Sequence, residues 1–206
     1  MNTFNNSHHA NMLLQSYGQW IHEHMAYGWN GYLFSFMFEQ IQGPDHDRMD
    51  EMKKQLGWFY GRLAKASVPK ASSPKWTPYL PKAVLVPDFP VFKHSKQRLR
   101  DVTMNNGLHW HGLVLATWRA LKLQEPLDVH VQGNPGKYLV GNIRRIDVQP
   151  ITYNPGYVIG YGMKSLKSSR ISDDDILIFP RSVSELPSQG PVRAAGEKPM
   201  YDFQRG

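Results

Sequence analysis

Residues 107–117 read GLHWHGLVLAT, an apolar run broken by two histidines that bracket one tryptophan. On an extended strand successive side chains point to opposite faces, so His109 and His111 share one face and Trp110 takes the other. Two imidazoles side by side fill a core poorly and hold a metal well. The run therefore commits the chain to a sheet with chemistry on one of its faces.

The surrounding sequence supplies neighbours for such a strand. YLFSFMFEQI (32–41) reads as a buried strand. Before it, Met12, Leu13, Tyr17, Trp20, Ile21 and His24 follow a loose helical spacing over 10–27. After it, Met49, Met52, Leu56, Phe59, Tyr60 and Leu63 predict a helix running to about residue 66. Asp45 or Asp47 suits its N-cap or its first turn. SVPKASSPKWTPYLPK (67–82) reads as a loop, and AVLVPDFPVF as an edge strand or an arm, because prolines interrupt it. LDVHVQG (127–133) and RRIDVQPI (144–151) are predicted as two more strands. Asn154-Pro155 then opens a helix to about residue 169, and DDDILIFPR adds a last strand or a helical turn. The order is that of an α+β fold: a central antiparallel sheet carries the His-x-His strand, with helices packed mainly on one face. Residues 1–30 are expected as a helical extension and 31–181 as the working domain. Within the latter, 67–100 forms a proline-rich and basic insertion or arm. Residues 182–206 read as a flexible tail.

Composition narrows the chemistry. The 206 residues include no cysteine, which removes disulfides and thiolate metal sites. No apolar run approaches the roughly 20 residues of a membrane span, and the first residues do not resemble a secretion signal. A cytoplasmic chain without membrane partners is expected. The formal net charge is +7, from 24 Lys+Arg against 17 Asp+Glu. The excess collects in Lys93, Lys96, Arg98 and Arg100, in Arg144 and Arg145, and in Lys167 and Arg170. Such clusters suggest a polyanionic partner, above all nucleic acid; ordinary solubilising charge is the plainer reading of any one of them.

A third metal ligand is sought from turn geometry. RLRDVTMNNGLHWHGLVLATW (98–118) reads as a hairpin turning at Asn105-Asn106-Gly107. A three-residue loop sets Asp101 opposite His111 and on its face. A two-residue turn reverses that parity, leaving Asp88 and His94 as the alternatives. Two histidines and a carboxylate with open positions suit Zn, Fe, Mn or Mg. His22 and His24 lie two apart on a helix and share no face, so they read as surface or packing residues.

NPGYVIGYGMKSLK holds the second candidate feature. On a helix, Tyr157, Tyr161 and Lys164 share one face. A tyrosine beside a metal-bound phosphate can act as nucleophile, and a lysine one turn away can hold the phosphate. Alone, the segment reads equally as a packed helix face with a solvated lysine. Gly160 and Gly162 argue for more, since each costs about 1 kcal/mol of helix propensity relative to alanine. That cost suggests close approach by another backbone, either the sheet or a nucleic acid.

An apolar strand, a helix, the HWHG strand and a Tyr-x-x-Lys helix, in that order, resemble the HUH endonuclease superfamily. That group includes rolling-circle replication initiators, relaxases and single-strand transposases. The resemblance covers roughly residues 30–170. It departs in carrying Asp101 where many initiators have a glutamate, and Gly160 where a lysine often lies between the tyrosines. It implies that His109, His111 and an acidic ligand hold Mg²⁺ or Mn²⁺, that Tyr161 attacks DNA to leave a 5′-phosphotyrosine, and that Tyr157 is a second nucleophile or a spectator. The implied substrate is single-stranded or hairpin DNA, which the basic residues would track. No nucleotide-binding motif is present, so the resemblance implies a nicking domain alone, served by a separately encoded helicase. Two other functions fit part of the pattern. A His-x-His metal-dependent hydrolase or oxygenase needs no tyrosine helix, and a non-catalytic nucleic-acid-binding protein needs no histidines.

Overall fold

The computed structural model describes residues 3–89, 104–117, 122–123, 125–152, 155–162 and 173–181. A 24-residue helix α1 (Thr3–Ala26) leads into β1 (Trp29–Phe38) and helix α2 (Asp45–Ser67). Asp45 and Asp47 occupy the first turn of α2, with Pro44 as its N-cap. β2 (Lys82–Asp88) and β3 (His109–Thr117) follow. Two short helices, α3 (Leu127–Gly133) and α4 (Pro135–Tyr138), precede β4 (Ile143–Pro150). Helix α5 (Pro155–Gly162), a 3₁₀ turn (Asp173–Asp175) and β5 (Leu177–Phe179) complete the described chain. The last segment thus supplies both a helical turn and a strand.

All five strands join one antiparallel sheet in the order β4-β1-β3-β2-β5. This is the α+β arrangement expected, with the His-x-His strand at its centre. The alternation of β1 and β3 decides which side chains go where. Phe34, Phe36, Trp110 and Val114 point to one face, where Met52, Leu56, Phe59 and Leu63 of α2 and Leu127 and Val131 of α3 close the larger core. A fully buried tryptophan or phenylalanine side chain contributes on the order of 1.5–3 kcal/mol from burial, so this face dominates the packing. The opposite face carries Val84, Leu113 and Leu115 under Leu14, Trp20 and Ile21 of α1, with Val158 of α5 against the same cluster. Helices therefore cover part of the second face too, and α1 belongs to the core.

Three expectations are corrected. LDVHVQG is helix, not strand. Its Leu-x-Val-x-Val spacing fits both periods, but Leu127 and Val131, four apart, are buried while Val129 is exposed. Pro126 ahead of it and Asn134-Pro135 behind it set helix ends rather than strand ends. AVLVPDF is not an edge strand: β2 lies between β3 and β5. β5 pairs only with Ala83, Val84 and Leu85, so Pro87 sits beyond that ladder, where no amide hydrogen is required of it. Finally, the predicted hairpin does not form. Both sides of β3 are occupied, and His111 faces Ser35 on β1 and Val86 on β2. The pairing that set Asp101 opposite His111 is therefore taken.

Asn105-Asn106-Gly107 does form a turn, with φ of 53°, 56° and 76°. Asparagine and glycine are the residues that tolerate this left-handed region. The turn delivers the chain into β3 instead of linking two hairpin strands. Asn105 is buried and locks it: its amide donates to Glu39 O at 2.9 Å, its side-chain oxygen accepts from Ile41 N at 2.8 Å, and its backbone N–H donates to Gln40 Oε1 at 2.9 Å.

Candidate metal centre

The antiparallel register of β2 and β3 pairs Asp88 with His109 and Val86 with His111. Asp88, Val86, His109 and His111 therefore project from the same sheet face. Asp88 Oδ2 lies 3.6 Å from His109 Nε2 and 3.9 Å from His111 Nε2. One donor atom from each residue lies within 4.8 Å of the other two. Those separations are too long for hydrogen bonds. They are close to the ~3 Å spacing of neighbouring ligands around a six-coordinate ion at about 2.1 Å. The site is buried: the side chains of Asp88 and His111 are each 3% exposed and that of His109 15%.

The turn before β3 orients the first imidazole. His109 Nδ1 lies 2.9 Å from Gly107 O. A carbonyl only accepts, so Nδ1 carries the proton and Nε2 offers its lone pair toward Asp88. Such an outer-shell contact fixes the tautomer of a ligating histidine. A buried carboxylate and two imidazole nitrogens converging in this way can hold a divalent metal ion.

The chain matches no family model, no curated protein and no solved structure.

What this centre can do depends on what faces it. Helix α5 crosses the same sheet face. A Cβ built on Gly162 would meet Leu33 Cδ1 at 3.3 Å and Gly112 Cα at 3.9 Å, so this glycine lets the helix lie close on β1 and β3. Gly160 meets nothing within 4 Å. The close approach suggested by the sequence is therefore by the sheet, and it concerns Gly162. The turn of helix so placed brings the Tyr161 ring to 6.1 Å from the His111 ring, centroid to centroid. Tyr161 remains 48% exposed, so a substrate can reach it.

Toward β4 the same face stays polar. Ser35 stands between His111 on one side and Asp147 on the other. Arg145, one row along, donates from Nε to Asp147 Oδ2 at 2.9 Å. Arg144 Nε is 3.9 Å from Glu39 Oε1. Tyr157 is within α5, but its side chain is outside the described set. Asp101, His94, Lys164, Lys93, Lys96, Arg98, Arg100, Lys167 and Arg170 lie outside the described residues.

Two site residues were not the first choice of sequence reasoning. Asp88 was one of two alternatives to Asp101, and its signal was an aspartate ending the apolar run AVLV. Ser35 went unremarked, although it is the one polar side chain between Tyr32 and Phe38.

Proposed function

We propose that this protein is a metal-dependent endonuclease of single-stranded DNA that cuts and rejoins through a covalent bond to Tyr161. What supports the reading above a plain metal site is the 6.1 Å separation of the Tyr161 and His111 rings. It sets a phenol beside the buried Asp88–His109–His111 group, on the side open to substrate. With nitrogen and oxygen donors together, Mn²⁺ suits the group at least as well as Mg²⁺. The bound ion would supply Lewis-acid polarisation of the scissile phosphate.

The chain's own residues account for the rest. Tyr161 Oη attacks phosphorus, the bond from phosphorus to the 3′-oxygen breaks, and that oxygen leaves with a proton taken from solvent as the phenolic proton is lost. The product strand carries a free 3′-hydroxyl, and the other end is held as a 5′-phosphotyrosine ester. One phosphoester replaces another, so rejoining needs no nucleotide cofactor. Ser35 forms the floor beside His111 over which the backbone lies, and Arg145 stands at the rim where it leaves toward β4.

The test is direct. Protein incubated with Mn²⁺ and a labelled pool of randomised single strands acquires a label that survives denaturing electrophoresis. EDTA abolishes it, and so does Tyr161→Phe, which removes only the attacking oxygen. Metal-dependent cleavage without an adduct would instead make water the nucleophile and the protein a hydrolase.

A further inference from the structure

A cleft of about 320 Å³ opens beside Tyr161, one strand row along from His111. Leu33 and Gln149 face each other on β1 and β4, next to the Ser35–Asp147 pair, and both line it. Ile151 and Val158 add apolar wall, Thr152 adds a hydroxyl, and Tyr161 is shared between the cleft and the metal centre. Among the described residues, no lining side chain carries a charge. This cleft is therefore suited not to a phosphate but to a neutral, flat group. Its volume is at the low end of small-ligand sites, roughly 300–1,000 Å³, and matches a ring system and not a length of backbone.

Resting on the nuclease reading above, we infer that the cleft takes the nucleobase next to the scissile phosphate, and that Gln149 hydrogen-bonds its edge. The geometry of the neighbouring groups leads there. A phosphate beside Tyr161 and His111 leaves its adjoining nucleoside one two-residue row from the cleft, about 7 Å along the strand. A base turned out of a single strand gains by lying against aliphatic walls and an aromatic ring. Gln149 is exposed at the rim, and its amide offers one donor and one acceptor side by side. That pair is complementary to the donor–acceptor edge of an unpaired base, N6 and N7 of adenine or N3 and O4 of thymine alike. The cleft thus adds a contact to the base beside the phosphodiester at the cut.

Methyl spectra locate the base without any need for cleavage. Full-length protein with isotope-labelled Leu, Ile and Val methyl groups is titrated with adenosine 5′-monophosphate, thymidine 5′-monophosphate and ribose 5-phosphate, each with Mg²⁺. The adenine nucleotide shifts the methyl signals of Leu33, Ile151 and Val158, whereas ribose 5-phosphate does not. The thymine nucleotide shifts the same signals, and Gln149→Leu, which keeps the side-chain bulk, weakens both nucleotides by about tenfold. Equal shifts from ribose 5-phosphate, or none from any nucleotide, would overturn the base cleft. Base-dependent shifts that ignore Gln149→Leu would overturn the Gln149 contact. The nuclease reading fails separately, by absence of the Mn²⁺-dependent adduct in wild-type protein.

Discussion

Asp88 and His109 are cross-strand partners at the ends of β2 and β3, and their side chains approach to 3.6 Å on a face whose opposite side is sealed by Trp110. The candidate ligand set is built from sheet register, which brings the three groups together without any ion. Removing an outer-shell partner of a metal ligand costs about 10–100-fold in affinity, and removing a ligand costs more. Asp88→Asn and His111→Ala are therefore each expected to weaken Mn²⁺ binding by more than about 100-fold, measured by titration calorimetry. Wild-type affinity in both variants would remove the metal centre from this face.

Asn105 makes a different kind of contribution. It closes the turn whose Gly107 carbonyl fixes His109, and it satisfies Glu39 O and Ile41 N. Asn105→Ala strands both groups and forces alanine into the left-handed region. Each stranded group costs on the order of 1–3 kcal/mol, and the conformation about 1–2 kcal/mol. A stability loss of about 3 kcal/mol or more is expected from denaturant unfolding. Asn105→Gly tolerates the positive φ and still loses the side-chain bonds, so it falls between alanine and wild type. Equal stability of the two variants would show that the backbone conformation carries no cost here.

These two residues also show what sequence can and cannot disclose. The histidine face was legible because a period of two depends only on neighbours along the chain. The asparagine–glycine turn was legible for the same reason. Which carboxylate joins the histidines depends on which strand lies alongside β3, and that is settled by long-range pairing. A local hairpin sets Asp101 beside them; the sheet order β4-β1-β3-β2-β5 places Asp88 there, and Asp101 lies outside the described residues. LDVHVQG failed for a related reason: seven residues with apolar positions 127, 129 and 131 fit either period, and the burial of Leu127 and Val131 under the rest of the fold decides.

Stability should also respond to acid through His24. Its Nδ1 donates to Trp20 O at 2.8 Å, leaving Nε2 buried with no hydrogen-bond partner among the described residues, between the Trp20 and Trp29 rings. Burial pushes its pKa below the usual 6.5; the Trp20 carbonyl works against that shift, and Lys82 adds to it. Because the folded form holds the proton less tightly, the unfolded chain binds more protons between the lowered value and 6.5. This contribution is thus full above pH 6.5 and is lost as pH falls through the folded value. Unfolding free energies measured from pH 7 downward should fall less steeply in His24→Gln than in wild type. Identical slopes would mean that His24 titrates normally in the folded protein.

Gly160 and Gly162 lie two residues apart in α5, and they should answer alanine in opposite ways. A Cβ on Gly160 meets nothing within 4 Å, so Gly160→Ala only restores helix propensity and should stabilise by about 0.5–1 kcal/mol. A Cβ on Gly162 lands 3.3 Å from Leu33 Cδ1 and in ordinary contact with Gly112 Cα at 3.9 Å, so it is admitted only if the Leu33 side chain or the helix gives by a few tenths of an ångström. Packing that must shift to admit a methyl group typically costs about 1–3 kcal/mol. Tyr161 is the neighbour of that methyl, and any shift of the helix carries it away from a ring now 6.1 Å distant. Gly162→Ala should therefore lose adduct formation more steeply than it loses stability, while Mn²⁺ affinity, set by β2 and β3, stays at the wild-type level. The pair separates placement of the nucleophile from integrity of the metal centre. Loss of Mn²⁺ affinity in Gly162→Ala would show that α5 supports the ligands themselves.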